Sequence, residues 1–131
     1  MTARARTGRL VAPGGGEQAT VRAILQFLHA HRIPAWRMNS GGFRAEYKGT
    51  TRFHRFGVTG MSDILGALVC RHGPDHTDHN CDHGRLLSIE VKSATGKVSA
   101  AQKDFLAQVT GAGGKAFVAR DVATVARELG L

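Results

Sequence analysis

The chain has 131 residues, enough for one domain with a core that needs no staples. Hydrophobic residues make up 42% of it, which excludes a disordered chain. Lysine and arginine number 18 against 10 aspartates and glutamates, and the formal charge of +8 favours a polyanionic partner such as nucleic acid. No apolar run reaches the roughly 18 residues of a membrane span. The basic start, Met1 to Arg6, has no apolar stretch behind it and does not read as a signal peptide. The only two cysteines lie close together among histidines, which suggests a metal site in a cytoplasmic protein rather than a secreted disulfide framework.

Residues 1–16 end in Pro13-Gly14-Gly15-Gly16 and read as a flexible basic arm, with the folded domain spanning 17–131. From Glu17 to His31, Val21, Ile24, Leu25 and Leu28 recur at helical spacing, and Pro34 stops the helix. Ala35 to Asn39 reads as a first strand, broken by Gly41-Gly42. Phe43 to Phe56 then alternates aromatic and basic residues about Lys48-Gly49-Thr50, a plausible hairpin turn. Its Arg44, Lys48, Arg52 and Arg55, with Arg37 and Asn39 upstream, are candidate DNA contacts. An ordinary hairpin with one buried and one solvated face would show the same alternation.

Ile64 to Val69 and Leu86 to Lys92 read as two further strands, separated by an unusual insert at 70–85. Ser99 and Gln102 fit the N-cap and N3 positions of a capping box, opening a helix that carries Phe105, Leu106 and Val109. Gly111-Ala112-Gly113-Gly114 closes that helix. Ala116 to Ala119 is a buried strand, and Asp121 can cap a last helix bearing Val122, Val125, Ala126 and Leu129. Alternating helices and strands predict an α/β domain with a mixed central sheet flanked by helices.

The chemistry concentrates at Glu90 and Lys92. Side chains alternate along a strand, so these two share a face while Ile89 and Val91 take the other. Asp63 follows a glycine-containing loop at the start of the strand before. Asp63 and Glu90, with the backbone carbonyl of Val91, form a candidate set of hard oxygen ligands for Mg²⁺ or Mn²⁺. Lys92 would orient the attacking water and offset charge in the transition state of phosphodiester hydrolysis. A lone Glu-x-Lys is most often a solvated strand face, and an Asp before a strand is usually a turn residue; the combination is what points to a nuclease.

Gly60-Met61-Ser62-Asp63-Ile64-Leu65-Gly66, Ile89-Glu90-Val91-Lys92-Ser93 and Gly96-Lys97-Val98-Ser99-Ala100-Ala101-Gln102 together resemble the virus-type replication-repair nuclease (VRR-NUC) family of the PD-(D/E)xK superfamily. Arg37 to Gly41 and Gly113 to Ala116 are similar to its pattern as well, and the resemblance runs from about Glu17 to Leu129. It implies a restriction-endonuclease-like core and a metal-dependent DNA endonuclease. It implies Asp63 and Glu90 as metal ligands, Lys92 as the catalytic lysine, and roles for Gln102 and Glu17 near the site. It also implies branched DNA such as a Holliday junction or flap as substrate, a homodimer, and a setting in phage or bacterial DNA replication and repair. Gln102 has its capping role beside the catalytic one, and Glu17 has a bland role in the first turn of a helix.

The insert departs from that pattern. Where compact members of the family have a short turn, this chain carries Cys70-x-His72 and Cys81-x-His83. Two paired strands would bring these four side chains together, and Cys₂His₂ suits a structural Zn²⁺ that pins a hairpin extension. Asp75, His76 or His79 could replace a ligand, and a polar loop without metal is the plainer alternative. Against the nuclease stand two other functions: a non-catalytic DNA-binding module shaped by zinc, and an interaction domain that acts only within a larger repair complex.

Overall fold

A computed structural model describes residues 16–38, 41–69 and 83–131, without the side chains of 41–43 and 55–56. Its elements in chain order are α1 (Glu17–Ala30), β1 (Ala35–Arg37), β2 (Gly41–Tyr47), β3 (Thr50–Phe56), β4 (Ile64–Val69), β5 (Gly84–Val91), α2 (Ala100–Gly111), β6 (Lys115–Ala119) and α3 (Val122–Leu129). Four strands form one mixed sheet in the order β1-β4-β5-β6. The first two pairings are antiparallel, and β5 pairs with β6 in parallel across the α2 connection.

The central strand β5 explains the layering. From Leu87 to Val91 every residue is buried, as a strand covered on both faces must be. Leu87, Ile89 and Val91 join Val21, Ile24 and Leu28 of α1 and Val125 of α3 in one core. Ser88 and Glu90 point to the other face, where Gln102 at the start of α2 meets Glu90. The sheet is thus flanked by helices on both sides.

Local chemistry sets the element ends. Ser99 Oγ accepts from the Gln102 N–H at 3.1 Å while Gln102 Oε1 accepts from the Ser99 N–H at 2.8 Å, completing the capping box. Asp121 Oδ1 accepts from the Thr124 N–H at 2.7 Å and opens α3, and Gly130 closes it in the left-handed conformation. The β2–β3 turn places Lys48 and Gly49 at φ of 50° and 73°, the positive values that a two-residue hairpin connection demands.

Several boundaries differ from expectation. β1 ends at Arg37, although the Met38 N–H still donates to the Asp63 carbonyl at 2.7 Å. Gly41 and Gly42 belong to β2 rather than interrupting a strand. β5 starts two residues early and stops at Val91, although the Lys92 N–H still donates to the Ala119 carbonyl at 3.0 Å. The hairpin does not join the main sheet; β2 and β3 pair with each other alone.

The expected arm lies outside the described residues except for Gly16, as does most of the insert, including Cys70, His72 and Cys81 with Asp75, His76 and His79. Of the proposed zinc ligands only His83 is described, exposed just before β5. No helix among the described residues is long and apolar enough to cross a membrane.

The loop from Gly57 to Asp63 is clamped against α2. Gly60 sits at φ 84°, and a Cβ there would lie 2.4 Å from the Ala101 carbonyl oxygen. Gly60→Ala therefore combines strain with a backbone clash and should cost about 2 kcal/mol or more of stability by urea denaturation. A variant as stable as the parent would show that the loop is not held against the helix.

Candidate active site

Asp63 and Glu90 come together through strand register. Ile64 pairs with Ile89 in the antiparallel β4–β5 ladder, so the next step sets Asp63 across from Glu90. The Asp63 side chain then does what a strand backbone would do: Oδ2 accepts from the Val91 N–H at 2.8 Å. That hydrogen bond fixes the carboxylate at the end of β4. Behind it, Ser88 Oγ donates to Ser62 Oγ at 2.7 Å, and both serines are fully buried. Together with the Gly60–Ala101 contact, this pins the loop that presents Asp63.

Glu90 is the exceptional group. It is only 2% exposed, in the central strand of the sheet. Its Oε1 accepts from Gln102 Nε2 at 2.6 Å and lies 3.4 Å from Lys92 Nζ. Its Oε2 is buried without a hydrogen-bond partner. Leaving a buried carboxylate oxygen unmatched is costly. Burial, followed by the nearby Asp63 carboxylate, pushes the Glu90 carboxyl up from 4.5 to about 7, against the opposing pull of Lys92.

Gln102 serves two functions with one amide. The Ser99 N–H needs an acceptor, so it takes Oε1, and Nε2 is left to donate to Glu90. The capping box thereby aims the donor that steadies Glu90. Lys92 is 12% exposed and sits just past the end of β5, with its ammonium beside Glu90.

Glu17 approaches Ser93, the residue after Lys92. Its Oε1 is 3.5 Å from the Ser93 nitrogen, a long contact, and a Cβ on Gly96 would lie 3.3 Å from the same oxygen. It therefore borders the loop after β5, and its described contacts are with that loop rather than with Glu90. Arg37 is exposed and donates to Gln18 Oε1 on α1. Arg44, Lys48 and Arg52 are exposed on the hairpin. Asn39 and the side chain of Arg55 lie outside the described residues.

Two groups that the motif did not single out are Ser62 and Ser88. Their signal was faint: a serine two residues before Glu90 falls on the same face, so burial of that face forces its hydroxyl to find a partner. The hydroxyl it finds is that of Ser62, beside Asp63.

The donor set can accept a hard cation. Asp63 and Glu90 offer two carboxylates, and the unmatched Oε2 is an oxygen that protein groups leave unsatisfied. Among the described residues no three His, Cys, Asp or Glu side chains gather as a metal-binding group. A cation here would rest on two carboxylates and backbone or water oxygens, which suits Mg²⁺, an ion that keeps several waters. Compared with known proteins, the chain matches no family model, no curated protein and no solved structure.

The Glu90 carboxyl makes stability pH-dependent. Its folded-state pKa of about 7 lies above the ordinary 4.5, so the folded chain holds this proton more tightly than the unfolded chain. Its contribution is fully favourable below pH 4.5, declines as pH rises, and is lost above about 7. In metal-free buffer, Glu90→Gln should be the more stable protein at pH 8, by up to about 3 kcal/mol, with the gap narrowing toward pH 5. Urea denaturation at both pH values checks this. A gap independent of pH would contradict the burial of a titrating Glu90.

Proposed function

We propose that this protein is a divalent-metal-dependent endodeoxyribonuclease of the VRR-NUC type with a restriction-endonuclease-like core. The observation that carries the reading is the Glu90 carboxyl: buried in the central strand, across from Asp63, beside Lys92, with one oxygen unmatched. Structural economy would put an apolar residue there. A carboxylate kept at that cost, next to a second carboxylate, is what a cation site requires. The α/β order, the mixed sheet and the acidic pair on adjacent strands are what the sequence resemblance leads one to expect. The charge of +8 supports a polyanionic substrate.

In this reading Asp63 and Glu90, with the Val91 carbonyl, would hold Mg²⁺ or Mn²⁺. When bound, such an ion would supply positive charge at the scissile phosphate. The Val91 N–H keeps Asp63 in place, and Gln102 holds Glu90 Oε1. Lys92 orients the attacking water and offsets the negative charge that builds on the phosphate oxygens in the transition state. The water oxygen bonds to phosphorus and releases a proton to solvent, the P–O bond to the leaving sugar oxygen breaks, and that oxygen takes up a proton from solvent and departs as the alcohol. Glu17, at the loop after Lys92, would act on the position of that loop. Branched DNA, a homodimer and a structural Zn²⁺ at Cys70, His72, Cys81 and His83 belong to the same reading. They rest on the resemblance and, for zinc, on the ligand spacing.

Cleavage of linear duplex, flap and four-way junction with Mg²⁺ or Mn²⁺ tests it. Wild type should cut, and Glu90→Ala and Lys92→Ala should each lose on the order of 100-fold or more in rate. Equal cutting of all three DNAs would remove the branched preference. A folded, metal-replete wild type that binds DNA without cutting would overturn the enzyme and leave a DNA-binding module.

A further inference from the structure

The β2–β3 ribbon is the part of the described fold that the sheet does not use. A hairpin that covered the core would hide its aromatics on one face. Here Tyr47 is 72% exposed and Phe53 59% exposed, and Arg44, Lys48 and Arg52 are exposed with them. Cross-strand partners share a face. Arg44 stands opposite Phe53, so these two lie on one side of the ribbon. Arg52 stands opposite Ala45, and Tyr47, two residues along, lies on that same second side. Among the described side chains, each face therefore carries one arginine and one exposed tyrosine or phenylalanine ring. At the tip, Lys48 Nζ stands 5.4 Å from the centre of the Tyr47 ring. Among the described side chains of the ribbon, Glu46 is the one carboxylate set against Arg44, Lys48 and Arg52.

The root of the ribbon is at the acidic site. The Met38 N–H donates to the Asp63 carbonyl, so the chain leaves the sheet and returns to it at one point, Asp63 itself. The returning leg is the loop clamped by Gly60 against Ala101 and by Ser62 against Ser88. An arm of this charge, rooted there, has a polyanion as its fitting partner.

We propose that the ribbon is a wedge that enters the fork of branched DNA, with unpaired bases stacking on Tyr47 and Phe53 and the diverging backbones held by Arg52 and Arg44. The proposal rests on reading Asp63, Glu90 and Lys92 as the phosphodiester site with branched DNA as its substrate, and adds the element and residues that would meet the branch. The two-sided display decides against a plain duplex. Intact duplex buries its base faces, so two opposed rings have nothing to stack on, whereas a fork offers unstacked bases on both sides. Arginine on each face then meets a separate phosphate backbone.

Binding in EDTA tests the wedge without cleavage, so its failure can be told from a failure of the nuclease reading. Full-length protein is titrated by fluorescence anisotropy with a fork and with linear duplex of the same sequence. Tyr47→Ala and Phe53→Ala should each weaken fork binding on the order of tenfold, with duplex binding changed less than about twofold. Tyr47→Phe, which keeps the ring, should bind forks like wild type. Because both side chains are exposed, the variants should retain the parent's thermal stability. With 5-iodouracil at the branch, photocrosslinks should map to Tyr47 and Phe53. Fork affinity unchanged in both alanine variants, or fork and duplex affinity lost alike, would overturn the wedge. Crosslinks confined to other segments, or a ribbon variant that changes the sedimentation of free protein, would overturn it too, the latter marking the ribbon as a contact between chains.

Discussion

Everything at this site depends on holding a charged-capable carboxyl inside a sheet. Glu90 sits where β5 is covered on both faces, and protein groups satisfy just one of its oxygens. Three neighbours share the task of keeping it there. Gln102 donates to it, Lys92 sets a positive charge beside it, and Asp63 raises its proton affinity from the next strand. Without a cation the group reaches neutral pH close to half protonated, since its pKa is about 7. The fold accepts that instability at its centre, and in the proposed reading a metal ion would relieve it.

The elements around Glu90 are arranged to make that geometry stiff. The β4–β5 register brings Asp63 across from Glu90, and the Val91 N–H locks the Asp63 carboxylate. The capping box of α2 fixes the amide of Gln102, so a helix-start device also orients a site residue. The loop before Asp63 is held by a glycine contact too close for any side chain and by a buried pair of serines. These supports come from three separate elements, which is why the motif residues alone understate the site.

Much of this was legible in the sequence. The apolar spacing of Val21, Ile24 and Leu28 marked α1, and Ser99, Gln102 and Asp121 marked helix starts because capping is local chemistry. Asp63, Glu90 and Lys92 stood out because alternation along strands assigns faces without knowledge of the fold. What was not legible depends on contacts between distant segments. Alternation in Phe43 to Phe56 signalled a hairpin equally well whether it joined the main sheet or stood apart, and it stands apart. The Ser62–Ser88 hydroxyl pair needs the β4–β5 register, and the unmatched Oε2 needs burial. Glu17 illustrates the opposite case: its helix-start role was plain, and its approach to Ser93 is a tertiary fact.

Binding of Mn²⁺ to the full-length protein at pH 8, followed by electron paramagnetic resonance of the free ion, tests the central claim most directly. Wild type should take up Mn²⁺ at a site that Glu90→Gln abolishes and Lys92→Ala retains. Uptake by Glu90→Gln equal to that of wild type, or no uptake by folded wild type, would contradict a cation site at Asp63 and Glu90.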